Sequence, residues 1–232
     1  RFAPTETGRV YRKIAYGPLL DVFFLDMRSY RGPNGPSLEE SLTPQSRILG
    51  AEQAAWLKRE LARSRATWKV IAADQPLGLV VWDDWRTQSG AEAVANGDPG
   101  APRGRELEIA DLLSFVRRQG ISNVVWLTAD VHYTAAHYYD PDLAVFQDFA
   151  PFWEFVSGPL HAGTFGPNAL DPTFGPQLRF IKAPPQGQFN LPPSAGLQFF
   201  GLVDIEAASG AMTVRLMDRA DTELWKVTLE PA

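Results

Sequence analysis

Asp130 and His132 are the residues whose types and spacing most invite chemistry. The run Asn123-Val124-Val125-Trp126-Leu127-Thr128 reads as a strand, and it leads through Ala129 straight into Asp130-Val131-His132. A carboxylate and an imidazole two positions apart, just beyond a buried strand, can offer two ligands to one metal ion. The chain holds only three histidines, His132, His137 and His161. His137 follows among small residues and tyrosines as a further ligand, a general acid, or a helical or loop histidine packed on Tyr138. His161 sits in the glycine-rich turn Ser157-Gly158-Pro159-Leu160-His161-Ala162-Gly163, which can return to the same place.

Two other buried strands end in the same way. Leu20–Leu25 is short, aromatic or β-branched and not alternating, as in a strand covered on both faces, and it runs into Asp26 and Arg28. Trp68–Ala73 runs into Asp74 and Gln75. Ligands gather at the carboxyl ends of parallel strands in α/β folds, so three polar strand endings point to one site at that edge. Arg28 is suited to hold a phosphate through two parallel hydrogen bonds, and Asp26 to orient it or to support a ligand. The alternative for Asp26 and Arg28 is a structural ion pair. Gln75 and the pair Asp83-Asp84 are candidates to contact metal-bound water, although paired carboxylates also occur in solvated turns.

The elements that must position these groups are partly visible. Ala54, Leu57 and Leu61 give a helix over 51–64, with Gly50 at its start and arginines towards its end. Ile109, Leu112, Leu113 and Val116 give a second helix over 105–119, closed by Gly120. Strand, helix and strand in succession predict parallel strands joined by right-handed crossovers. From Pro141 to Pro193 periodicity fades. This stretch carries ten of the nineteen prolines and many aromatics, and it reads as a long, packed loop. Alternation then returns: Phe199, Val203 and Ile205, Met212 to Leu216, and Trp225 to Leu229 predict an antiparallel meander with one face buried.

The totals narrow the function classes. At 232 residues with 45% hydrophobic and 21% charged side chains, the composition is that of an ordinary globular protein. A net charge of −5 argues against a sequence-independent grip on nucleic acid, and an anionic substrate would have to be met by local cations. Without cysteine there are no disulfides, thiolate ligands or cysteine nucleophile. No apolar stretch is long enough to span a membrane as a helix. The nucleophile elbow, the Walker A motif and the dinucleotide fingerprint are all missing.

Taken together, FFLDMRSYRGPNG, the leucine-rich helix, the DQP strand exit, GRELEIADLLSFVRR and NVVWLTADVH, in this order, resemble the alkaline phosphatase D (PhoD-like) family of metallophosphoesterases. The resemblance runs from about Tyr11 to Ala232. It implies an α/β fold, a four-layer α/β/β/α metallophosphatase sandwich, of which this chain is the C-terminal half. It also implies hydrolysis of phosphate mono- or diesters by a metal-activated hydroxide, with calcium and iron as the ions, in a periplasmic or secreted enzyme. Asp130 and His132 fall on the family's Gly-Asp-Val-His ending and so are the implied metal ligands, with Ala129 in place of the glycine. The family's N-terminal ligand motifs do not precede Asp26. Together with an opening on Arg1-Phe2-Ala3-Pro4-Thr5, this reads as a processed or fragmentary chain, and an N-terminal segment of the same enzyme is the expected companion. Two alternatives stand beside it: a catalytically incomplete half-domain that only binds a partner, and a mononuclear hydrolase using Asp130, His132 and His137 alone.

Overall fold

Four parallel strands form the middle of the protein, described here by a computed structural model over residues 8–232; the opening Arg1–Thr5 lies outside the described residues. The strands are β1 (Arg12–Tyr16), β2 (Leu20–Phe24), β3 (Trp68–Ala72), β4 (Trp82–Asp84), β5 (Ser89–Ala91), β6 (Val124–Thr128), β7 (Thr134–Tyr139), β8 (Phe152–Val156), β9 (Pro176–Lys182), β10 (Phe199–Ile205), β11 (Met212–Asp218) and β12 (Glu223–Leu229). The helices are α1 (Ala51–Arg63) and α2 (Glu106–Arg118). A seven-stranded sheet has the order β1-β2-β3-β6-β8-β7-β9, and β2, β3, β6 and β8 run parallel within it. β1, on one side, and β7, on the other, pair antiparallel to their neighbours. β10, β11 and β12 form the expected meander as a separate antiparallel sheet.

The central strands are mostly apolar because both of their faces are covered, with Asp21, Lys69 and Glu154 as buried charged exceptions. On one face Phe23, Ile71 and Trp126 pack against Leu57 and Leu61 of α1 and Ile109, Leu112 and Val116 of α2. On the other face Trp68, Val70, Val125 and Phe155 meet Met212, Val214 and Leu216 of the small sheet. Gly50, at φ 77°, starts α1 and Gly120, at φ 61°, follows α2, both in the left-handed region that glycine enters without strain.

The described residues therefore make three layers, helices, large sheet and small sheet, and the expected fourth layer is not among them. The reason is visible in the outer face of the small sheet. There the Thr213 and Thr228 hydroxyls lie 2.9 Å apart, and Arg215 pairs with Asp204 and, at 3.2 Å, with Glu223. Such a face is suited to water, with the exposed Leu202 beside Arg215 as its apolar exception.

The proline-rich stretch also departs from its expected form. It contains β8, β9 and two short 3-10 turns, with a third starting at its end, instead of one long loop. β8 escapes a periodicity reading because Glu154 interrupts Phe152-Trp153-Glu154-Phe155-Val156 while both faces are buried, so it neither alternates nor stays apolar. β7, Thr134-Ala135-Ala136-His137-Tyr138-Tyr139, has alanines in place of branched residues, and it is a strand where a helix or loop was expected.

Candidate functional site

The carboxyl ends of β2, β3 and β6 bring their polar exits to one edge. Asp26 begins the arrangement with a local turn. Its Oδ1 accepts hydrogen bonds from the backbone N–H of Arg28 at 3.0 Å and of Ser29 at 2.8 Å. Its own N–H donates to Gln53 of α1 at 2.8 Å. The side chain is thus a turn-forming group of a common kind. It fixes the backbone that carries Arg28 and makes no ion pair with the guanidinium.

Arg28 instead reaches outwards. Nη2 lies 2.7 Å from Oδ1 of Asp130, and Nη1 lies 2.6 Å from Oε1 of Glu92. Burial works to lower the Arg28 pKa, but the Glu92 hydrogen bond and the charges of Asp130 and Glu92 outweigh it and hold the pKa above its usual value. Arg31 stands beside it with Nη1 on the Glu92 carbonyl at 2.8 Å. Burial and the neighbouring Arg28 cation lower the Arg31 pKa.

Asp130 is half-buried and has φ 69°. The left-handed position in this exit is therefore Asp130 itself and not Ala129, and aspartate is among the few side chains that tolerate it. Burial raises its pKa, opposed by Arg28. Asp74 accepts from the Met27 N–H at 2.9 Å. Its pKa is raised by burial, with a further contribution from the Asp26 charge.

His132, two residues after Asp130, packs against Phe165 with ring centroids 4.5 Å apart and planes tilted by 39°. Its Nδ1 faces the Gly163 carbonyl oxygen. A carbonyl only accepts, so Nδ1 is the donor in this contact. Gln75 is fully buried, donates to the Glu92 carbonyl at 3.1 Å, and leaves its Oε1 without a partner among the described residues.

Two expected members are elsewhere. His137 lies in the middle of β7 at 1% exposure, opposite Glu154, with no hydrogen bond on either ring nitrogen. Burial depresses its pKa to about 4. A side chain sealed into the sheet cannot exchange a proton with substrate at the edge, so the structure does not bring His137 to this cluster. His161 is exposed on its turn, and no hydrogen bond joins it to the site. Asp83 and Asp84 stay at the β4 hairpin, where Asn34 donates to Asp83 at 2.7 Å and Arg86 N–H to Asp84 at 2.9 Å.

Glu92 and Arg105 were not singled out in the sequence, and the structure makes them central. Arg105 is buried to 1% exposure. It donates to the carbonyls of Ala91, Glu92 and Ala93 on one side and of Gly32 and Pro33 on the other, and to the Asn34 side chain. Burial, with the nearby Arg31 charge, lowers its pKa to about 10, so it stays charged at neutral pH. It ties the loop after β2 to the loop carrying Glu92. Three arginines thus converge behind two carboxylates.

A metal ion is implied by the resemblance, and the donors can be tested against it. Asp130 and the Nε2 of His132 are of the right chemical type. Among the described residues, however, no group of three or more histidine, aspartate or glutamate side chains is placed to hold a metal ion. Two donors fit in kind and fall short in number.

The sequence of residues 1–216 matches the profile of a family described as PhoD-like phosphatase. Alkaline phosphatase D of Bacillus subtilis (strain 168) is 34% identical over 130 residues, which cover 53% of this chain and 21% of that protein. A solved structure described as "Structure of PhoD" superposes with a TM-score of 0.52 at 18% identity, over 96% of this chain and 41% of its own. At that identity the likeness speaks for the fold. The chain spans less than half the length of either relative. With a family match that leaves out only the last residues, this chain belongs to the PhoD-like phosphatase family.

Proposed function

We propose that the edge formed by Arg28, Arg31, Asp130 and His132 binds the phosphoryl group of a phosphate mono- or diester and serves its hydrolysis. The observation that carries this reading is the posture of Arg28. Its guanidinium is held by two carboxylates at 2.6 and 2.7 Å while the side chain remains 45% exposed. A guanidinium has five N–H donors, and two are engaged here, so the others are free to meet phosphoryl oxygens. In a chain of net charge −5, such a fixed cation is what an anionic ester needs. Asp26 and Arg105 act by holding the two loops that aim it.

Asp130 and His132 would supply two donors to the metal ions, calcium and iron by resemblance. Bound metal lowers the pKa of water and polarises the ester. The remaining donors would come from an N-terminal segment of the same enzyme, in keeping with the limited span of the relatives that this chain covers. Gln75, whose buried Oε1 has no partner among the described residues, would accept a hydrogen bond from a water beneath the site. The periplasmic or secreted location rests on resemblance; no helix among the described residues is long and apolar enough to cross a membrane.

The test is a calorimetric titration of the chain with inorganic phosphate. Arg28→Ala is expected to weaken binding by about tenfold or more, and Arg28→Lys to restore only part of it, because the fork geometry is lost. The same samples, supplied with calcium and ferric ions, are then assayed with p-nitrophenyl phosphate. Binding that depends on Arg28 without turnover assigns the missing donors to another segment. No phosphate binding, or binding indifferent to Arg28, overturns the reading.

A further inference from the structure

We propose that Trp85 and Phe189 form a stacking platform for a planar aromatic group on the ester, a subsite that selects aryl or nucleoside phosphates over alkyl ones. This rests on the phosphoryl site proposed above. The two rings come from distant parts of the chain and meet with centroids 5.7 Å apart at 41°. They remain 61% and 51% exposed. Neither belongs to any of the three hydrophobic clusters, so core packing does not account for them.

Both rings are mounted on supports that lead back to the phosphoryl edge. Trp85 follows β4, and the returning strand β5 runs directly into Glu92, which holds Arg28. Phe189 precedes Asn190, whose N–H donates to the Thr164 carbonyl at 2.7 Å. On either side of Thr164 lie Gly163, whose carbonyl accepts from His132, and Phe165, which packs at a tilt against that same ring. Gly163 is needed for this meeting: a Cβ there would come within 2.9 Å of the Asn190 Cα. The two rings therefore stand on segments that continue to Glu92, the partner of Arg28, and to the 163–165 stretch that faces His132.

Charge points to the same ligand. The Arg86 guanidinium lies 4.8 Å from the Trp85 ring centroid and places a cation at the platform. An apolar partner would gain nothing from it. An aromatic group carrying a phosphate gains both the ring contact and the attraction.

The experiment titrates the full chain with methylphosphonate, phenylphosphonate and an adenosine 5′-phosphonate. Phenylphosphonate is expected to bind about tenfold tighter than methylphosphonate, the scale of a single stacking contact. In Trp85→Ala and Phe189→Ala this ratio should fall towards one, and in Trp85→Tyr it should persist. A larger gain for the adenosine compound than for the phenyl one assigns the platform to nucleobases, and the reverse to simple aryl groups. If all three bind alike, the phosphoryl site stands and the platform is overturned. If none binds, the phosphoryl reading fails and the platform with it.

Discussion

Nη2 of Arg28 lies 2.7 Å from Oδ1 of Asp130 although β3 stands between the strands that deliver them. The arginine spans the exit of β3, where Asp74 sits, to reach the exit of β6. This crossing makes one site out of three strand endings.

The left-handed backbone of Asp130 gives a first prediction. Asp130→Gly and Asp130→Ala both remove the partner of Arg28, but only alanine must be forced into φ 69°. Asp130→Ala is expected to be less stable than Asp130→Gly by about 1 kcal/mol. Urea midpoints of the two variants measure the difference, and equal midpoints would show that the backbone relaxes.

Arg105 gives a second. Removing it takes a donor from five carbonyls and from the Asn34 amide oxygen, while the Glu92 carbonyl keeps Arg31 and Gln75. Arg105→Ala is expected to destabilise the protein by about 3 kcal/mol or more, and Arg105→Lys to recover only a fraction. Hydrogen exchange should rise first at 32–34 and 91–93. Protection unchanged in those two loops would show that something else ties them.

Glu106, at the start of α2, makes stability depend on pH. Burial, with the nearby charge of Asp171, raises its pKa to about 8. The folded protein then holds this proton more tightly than the unfolded chain. The contribution is fully present below the ordinary value of 4.5 and is lost as pH rises through 8. Urea midpoints should decline across that window in the native protein, and Glu106→Gln should flatten the decline. A slope that survives the substitution assigns it to other groups.

His137 acts in the opposite sense. Its pKa is depressed from 6.5 to about 4, so its stabilising contribution is present above 6.5 and lost as pH falls towards 4. His137→Leu should reduce the acid sensitivity in this range and leave phosphate affinity as it was. A loss of phosphate binding in this variant would restore His137 to the site.

The frame was legible wherever periodicity is strong. Leu57 and Leu61, then Ile109, Leu112 and Val116, mark two helices whose observed limits fall within a residue of those expected. The buried runs before Asp26, Asp74 and Asp130 mark three parallel strands. β7 and β8 were hidden because alanine, histidine and a buried glutamate replace the residues that announce a strand. The site divides in the same way. Asp130, His132 and Arg28 stand at strand ends, where sequence order alone places them together. Glu92 lies between two alanines, and Arg105 looks like any polar residue opening a helix. Glu92 is met by Arg28 from a distant loop, and Arg105 by backbone carbonyls at 32–33 and 91–93, and no side-chain pattern announces those.

Glu154 adds a mechanical link to this frame. One carboxylate oxygen, Oε1, accepts both the Leu77 N–H at 2.8 Å and the Thr128 hydroxyl at 3.1 Å. Leu77 lies just past Gln75, and Thr128 just before Asp130. The loops leaving β3 and β6 are clasped by a single buried atom, so a displacement of one is passed to the other, and the floor under Arg28 moves as a unit.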